Sequence, residues 1–496
     1  MNLTPELLRI KDEIKGYALD YGLDFFETFF ELLDFDELNE VASYGGFPTR
    51  YPHWRFGMEY EELSKGYSYG LQKIYELVIN NDPCYAYLMK CNGLVDQKLV
   101  IAHVYGHSDF FKNNMWFSRT DRKMMDRMAN HGVKVRRFVE KHGFDKVEGF
   151  LDRALSLENL IDVHSPFIER RDRRARVEDS ESPPPNLKKL KSKDYMDSFI
   201  NPKEFMDEQK SKFEADRDKR TQFPAEKEKD VLWFLIQNAP LERWQRDILE
   251  MVRDEAYYFA PQAMTKIMNE GWATYWHSKL MTTKILSDSE IVDYADHHSG
   301  TLGGRPGSLN PYKLGVELFR DIEDRWNKGK FGADYDACED IAEKKRWNRH
   351  LGLGKQKIFE VRKIYNDVQF IDSFLTEDFC HEHKLFLYRY NPRTGRTEVA
   401  DRDFTQVKRQ LLFQLTNAGQ PHIFVIDANH ANRGELYLWH RWEGVDVRFD
   451  HGMDTLKNLQ KIWKRPVHLE TKEEGRGRLL SFDGENASIK DITPSA

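Results

Sequence analysis

Cysteine is scarce: there are four among 496 residues, at positions 84, 91, 338 and 380, with no C-x-x-C pair. That pattern excludes a disulfide framework and a thiolate zinc knuckle, and it points to a reducing, cytoplasmic setting. Long apolar runs are also missing. No stretch approaches the ~20 residues needed to cross a bilayer, and the charged opening MNLTPELLRIKDEIKGYALDYG lacks a signal-peptide core. Nor is there a surplus of positive charge: 75 Lys and Arg stand against 82 Asp and Glu, for a net of −7, so no basic field argues for nucleic acid. Aromatic residues are plentiful, at 13%, which argues against wholesale disorder.

Most of the chain reads as helical. Thr4 can cap a first helix, with Pro5 in its first turn and Leu7, Ile10 and Ile14 at helical spacing. Helical patterns follow near 24–40 and 59–80, separated by the Gly/Pro-rich loop 45–57. CYAYLMKCN at 84–92 reads as a short strand or extended entry to the next helix, and helical patterns then continue to about Asp162. From 169 to 229 both charges are dense and large apolar residues few, which predicts a linker or extended arm. Helical patterns resume over 230–290, 311–327 and 334–346. After residue 380 the period changes: KLFLYRYNPRTGRTEVA and HIFVIDANHANRGELYLWHRWEG each read as two strands around a turn, and RLLSFDG as a last strand. The expected architecture is α+β, with a large helical domain (1–168 and 230–375), the 169–229 arm, and a small α+β domain over 380–496.

One missing residue frames the chemistry. IAHVYGHSDFF (101–111) places His103 and His107 four apart, the spacing by which a zinc-hydrolase helix offers two imidazoles to one metal. In H-E-x-x-H a glutamate follows the first histidine as general base; here Val104 stands there. An isolated H-x-x-x-H is more often a hydrogen-bonded core pair, so a third donor is required. MTKIMNEGWATYWHSKL supplies one: Glu270 and His277 are seven apart, two helical turns, with Thr274 on the same face. Glu270 opposite the histidine helix would complete the His-His-Glu set of catalytic zinc, leaving a fourth position open. The expected metal ligands are therefore His103, His107 and Glu270, and the cation a divalent transition metal, zinc foremost with iron or manganese as alternatives. Without a glutamate at 104, a substitute base would come from Glu255, Asp109 or His277; with no base at all, the site would be structural or sensing. Carboxylates at Glu148, Asp152 and Asp162 read mostly as solvated or structural. His297 and His298 fall in a Gly-rich stretch read as an exposed loop, and GTLGGRPGS fits no phosphate-binding template.

Several of these stretches together resemble one family. AHVYGHSDFFKNN (102–114), LSLENLIDVHSPF (155–167), RDEAYYFAPQ to TKIMNEGWATYWH (253–277) and LNPYKLG (309–315) are similar to the stage V sporulation protein R (SpoVR) family, with weaker agreement at HLETKEEGR (468–476). The resemblance implies a cytoplasmic bacterial protein tied to spore cortex formation. In non-sporulating relatives it implies stress- or envelope-related signalling alongside a PrkA-type serine protein kinase and a von Willebrand-like-domain protein. It carries no assigned catalytic residues. The HVYGH and EGWATY pair also resembles the two metal-binding helices of gluzincin-like peptidases, at the level of fold analogy.

Overall fold

The computed structural model describes residues 3–68, 76–168, 223–303 and 309–493. The expected arm therefore lies, over 169–222, outside the described residues, as does 304–308 of the Gly-rich stretch.

The first helix, α1 (Pro5–Asp20), forms as its sequence predicts. The Thr4 hydroxyl accepts from Leu7 N, Pro5 fills the first turn, and Leu7, Ile10, Ile14 and Ala18 make the buried face. Next the helical expectation for 24–40 gives way to strand β1 (Thr28–Leu33), with helix α2 confined to Phe35–Ser43 behind an Asp34/Glu37 capping box. FFETFFELL satisfies both periods locally, and pairing with a distant strand decides between them. After α3 (Trp54–Ser68) come β2 (Glu76–Ile79) and β3 (Cys84–Met89). β3 is the central strand, parallel to β1 (Thr28 opposite Cys84) and antiparallel to β2. The helix expected over 59–80 thus ends at residue 68, and its last residues are a strand.

Helix α4 (Leu94–Asn113) follows, buried on all sides from Val100 to Phe111, then α5 (Met124–His142) and α6 (Phe144–Leu155). The chain resumes with α7 (Val231–Asn238), α8 (Arg243–Met264) and α9 (Lys266–Leu280). Helix α9 is buried on all sides despite its polar residues: Gly271 to Ser278 are enclosed throughout. Its N-terminus is tied down by Asp367, whose carboxylate accepts from Ile267 N and Met268 N at 2.8 and 2.9 Å. The segment read as an exposed Gly-rich loop is helix α10 (Ile291–Leu302), which carries both His297 and His298. Helix α11 (Pro311–Lys328) begins on an Asn310 cap and ends at Gly329, whose φ of +73° suits glycine.

Beyond two short helices, α12 (Ala333–Asp336) and α13 (Ile341–Arg346), lie α14 (Gly354–Ile364), α15 (Asp367–Phe374) and α16 (Glu377–Glu382). Strands β4 (Leu387–Asn391) and β5 (Arg396–Asp401) form the expected hairpin, followed by α17 (Phe404–Leu415). The C-terminal part holds β6 (Ile423–His430), β7 (Glu435–His440), α18 (Phe449–Trp463), β8 (Val467–Glu473), β9 (Arg476–Phe482) and β10 (Ala487–Asp491). Their order in one sheet is β10-β9-β8-β7-β6, with β7 and β8 parallel and the other neighbours antiparallel.

The protein is therefore α+β, mainly helical, with a small sheet near its C-terminus. Two compact units are distinguishable, Met1–Glu148 with Tyr257–Gly419, and Gly149–Ala256 with Gln420–Ala496. Each is discontinuous in sequence, a grouping that composition along the chain does not display. The first unit has a large core gathered around α4, α9 and α11, with Trp272, Trp276, Phe110 and Phe319 fully enclosed. No described helix is long and apolar enough to cross a membrane.

Candidate functional site

Very close helix contacts surround α9 in the first unit. A Cβ placed on Gly106 of α4 would come within 2.7 Å of Ala273 Cα, and one on Gly271 within 2.4 Å of the Gly315 backbone of α11. Bare backbone at these positions lets three buried helices meet at a separation that any side chain would prevent.

Across the α4–α9 contact, His103, His107 and Glu270 converge. Their donor atoms all lie within 4.8 Å of one another, and among the described residues they are the only histidine, cysteine and carboxylate group so gathered. Glu270 Oε2 stands 3.6 Å from His103 Nε2 and 3.4 Å from His107 Nε2. Both histidines are 4% exposed, while the Glu270 side chain keeps 17% of its surface, so solvent reaches the cluster from the carboxylate side. Glu270 Oε2 is buried and has no hydrogen-bond partner. Burial opposes ionisation of this carboxyl, but the His103 and His107 imidazoles outweigh it and hold the group well below the usual carboxylate range.

The far side of each imidazole is also engaged. His107 Nδ1 donates to Asn269 Oδ1 at 2.9 Å, which orients the ring so that Nε2 faces Glu270. His103 Nδ1 lies 2.8 Å from His277 Nδ1, and the Tyr312 ring stacks on His103 with centroids 6.3 Å apart. Burial, then the neighbouring His103 and His298, push His277 well below the usual histidine range, so it is neutral.

The three residues expected as substitute bases have separate placements. His277 stands behind His103, on its Nδ1 side. Asp109, two residues past His107 and so about 200° around the helix, has both oxygens engaged: Oδ1 accepts from Asp24 N and Oδ2 from Trp272 Nε1, each at 2.8 Å, and Arg362 pairs with it at 3.3 Å. Burial pushes the Asp109 carboxyl up to about 6 against the opposing pull of Arg362. This makes Asp109 an anchor for the helix packing. Glu255 is buried on α8 in the second unit, whereas the three converging residues belong to the first. Val104, at the position a peptidase gives to its glutamate, is fully buried in the core.

Sequence reasoning missed Asn269 and Tyr312, and placed His298 in an exposed loop. Asn269 directly precedes Glu270 and had a local signal. The other two come near only through α10 and α11, which no spacing rule connects to α4.

Residues 2–420 match the family model described as SpoVR like protein. The chain belongs to the SpoVR family. This SpoVR-family chain is also 30% identical over 497 residues to the uncharacterized protein YcgB of Escherichia coli (strain K12), covering 93% of this chain and 91% of that relative. No solved structure matches it.

Proposed function

We propose that this SpoVR-family chain holds one divalent transition metal, zinc foremost, through His103, His107 and Glu270, in a gluzincin-like two-helix arrangement, and that the centre serves a hydrolytic reaction. The single observation that carries the reading is the placement of Glu270 Oε2, buried and without a hydrogen-bond partner, 3.4 and 3.6 Å from two imidazole nitrogens. Tetrahedral ligands at about 2.0–2.1 Å from a cation lie about 3.3–3.4 Å from one another, so the spacing fits a shared metal. The donor set fits too: two nitrogens and one carboxylate are the catalytic rather than the structural zinc pattern.

A divalent cation here would supply Lewis-acid polarisation of a carbonyl or phosphoryl oxygen. Around it, Asn269 and His277 orient the two imidazoles, and Glu270 supplies the negative charge. By family resemblance the biological setting is spore cortex formation, or stress- and envelope-related signalling.

One observation favours a second reading. Val104 is enclosed in the core and Asp109 is committed to Arg362 and Trp272, so neither serves as a base. The chain would then be a metal-bearing regulator or scaffold acting with a PrkA-type serine protein kinase and a von Willebrand-like-domain protein. The two readings separate when zinc-loaded protein is offered cell-wall muropeptides, model peptides and esters. Hydrolysis that disappears in Glu270→Ala supports the enzyme. Stoichiometric zinc with no turnover on any of them supports the regulator.

A further inference from the structure

The C-terminal sheet has two unlike faces. Val467, Leu469 and Leu480 are buried on the side where α18 lies, with Gly452 of that helix against Leu480. Side chains alternate along a strand, so His468 and Ser481, directly opposite each other on β8 and β9, stand on the other face. Tyr437 of β7 is the neighbour of His468 on its second side, and Glu435 lies two residues before Tyr437 on the same face.

His468 links two of these side chains. Its Nε2 is 2.9 Å from Glu435 Oε2, and its Nδ1 is 2.8 Å from Ser481 Oγ. A carboxylate only accepts, so Nε2 carries the proton of the neutral ring, and the Ser481 hydroxyl donates to Nδ1. Glu435 is buried and gripped by Arg433 at 2.6 and 3.0 Å. Burial opposes its ionisation, but Arg433 and then His468 outweigh it and hold the carboxyl below its usual range. Ser481 and His468 are only half-buried, so a reagent can reach them. Beside them the Tyr437 and His430 rings lie with centroids 4.6 Å apart, His430 being 5.3 Å from His468, and together they make an aromatic wall. Ser488, directly across from Ser481 on β10, adds a second hydroxyl to this face.

A hydroxyl, an imidazole that can take its proton and a carboxylate that fixes the ring are the parts of a nucleophilic serine centre. We propose that Ser481, His468 and Glu435 form a metal-independent acyl-transfer site that hydrolyses carboxylic esters with an apolar acyl group. Ser481 Oγ attacks the ester carbonyl carbon as its proton passes to His468 Nδ1. The bond to the alcohol oxygen breaks, and the alcohol leaves with that proton, so the acyl group stays on Oγ. Water then gives a proton to Nδ1 and adds to the acyl carbon. The carbon–Oγ bond breaks, the carboxylic acid departs, and Ser481 recovers its proton. The Ser488 hydroxyl donates to the oxyanion, the aromatic wall takes the acyl group, and Glu435 is a positioning residue acting through His468. All these residues belong to the second unit and lie beyond residue 420, where the family match ends. The site does not depend on the metal reading above.

The test treats the full chain with an alkyl fluorophosphonate in excess chelator, which silences any turnover that needs the metal centre. Attack by Ser481 displaces fluoride and leaves a phosphonyl group on Oγ, located by peptide mass spectrometry. Hydrolysis of a p-nitrophenyl ester is followed in the same buffer, with circular dichroism confirming that each variant is folded. The expected result is an adduct on Ser481 in wild type, and neither adduct nor ester turnover above the buffer rate in Ser481→Ala. Glu435→Gln, whose amide would donate to Nε2 and so put the ring proton on Nδ1, is expected to lower the maximal labelling rate on the order of 10²–10⁴-fold. The probe concentration for half-maximal rate should stay unchanged, and Glu435→Asp should restore part of the rate. Wild type without an adduct on Ser481, ester hydrolysis undiminished in Ser481→Ala, or Glu435→Gln labelling at the wild-type rate would each overturn the proposal. None of these results bears on metal uptake by the first unit.

Discussion

Gly106 of α4 faces Ala273 of α9 with no room for a methyl group: a Cβ on Gly106 would lie 2.7 Å from Ala273 Cα and 3.1 Å from its Cβ. The same contact sets the distance across which His103 and His107 address Glu270. Gly106→Ala is therefore expected to force the two helices apart, with a stability loss of roughly 1–3 kcal/mol and weaker metal binding. Gly271→Ala, whose Cβ meets the Gly315 backbone at 2.4 Å, is expected to cost more. Denaturant midpoints of the purified variants check both. Wild-type stability in Gly106→Ala would mean that the helices are not in contact as described.

Placing a glutamate at position 104 recreates the peptidase signature but puts a carboxylate where the side chain is fully enclosed. Val104→Glu is expected to lose on the order of 3–5 kcal/mol, as for an uncompensated buried charge, and to gain no peptidase activity. The measurement is the unfolding free energy beside a peptide-cleavage assay. A variant that cleaves peptides at wild-type stability would show instead that residue 104 faces the site.

The gathering of His103, His107 and Glu270 follows from local spacing on two helices. His103 and His107 are one helical turn apart, and Glu270 sits on a helix whose apolar surround marks it as a core element. The α1 cap and the β4–β5 hairpin were legible for the same reason. Strand β1 was not, since FFETFFELL suits either period until β3 is there to pair with it. β8 hides behind a run of charged residues, although its buried face is intact at Val467, Leu469 and Thr471. His298 was read as exposed because a glycine-rich neighbourhood says nothing about a contact with a residue 21 positions earlier on another helix. Asp109 was read as a base since its partner Arg362 is 253 residues away.

Asp109→Asn keeps the shape of the side chain but leaves Arg362 without a counter-charge in a buried setting. It also turns one accepting oxygen into an amide donor near Trp272 Nε1 or Asp24 N. The expected loss is about 3–5 kcal/mol, with metal stoichiometry unchanged in whatever fraction remains folded. Calorimetric unfolding and metal content, measured together, decide this. Full stability with altered activity would return Asp109 to the catalytic candidates.

Asp367 gives a pH signature of its own. Burial pushes its carboxyl up to about 7, against the pull of Ile267 N and Met268 N, so the folded state holds this proton more firmly than the unfolded chain does. Its contribution to stability is therefore complete below about pH 4 and is lost as pH rises to about 7, with a span on the order of 4 kcal/mol at 1.36 kcal/mol per unit. Asp367→Asn cannot titrate and loses one acceptor for the two N–H groups. The stability advantage of wild type over this variant is expected to shrink steadily between pH 4 and pH 8. An advantage that stays constant or grows across that range would show that the carboxylate is charged in the folded protein.

The central claim is that two imidazoles of α4 and one carboxylate of α9 share a cation. Elemental analysis of untagged, folded protein tests it most directly. The expected result is close to one transition-metal ion per chain in wild type and a small fraction of that in His103→Ala, His107→Ala and Glu270→Ala. Folded wild-type protein that carries no metal and takes up none from a zinc solution would contradict the account.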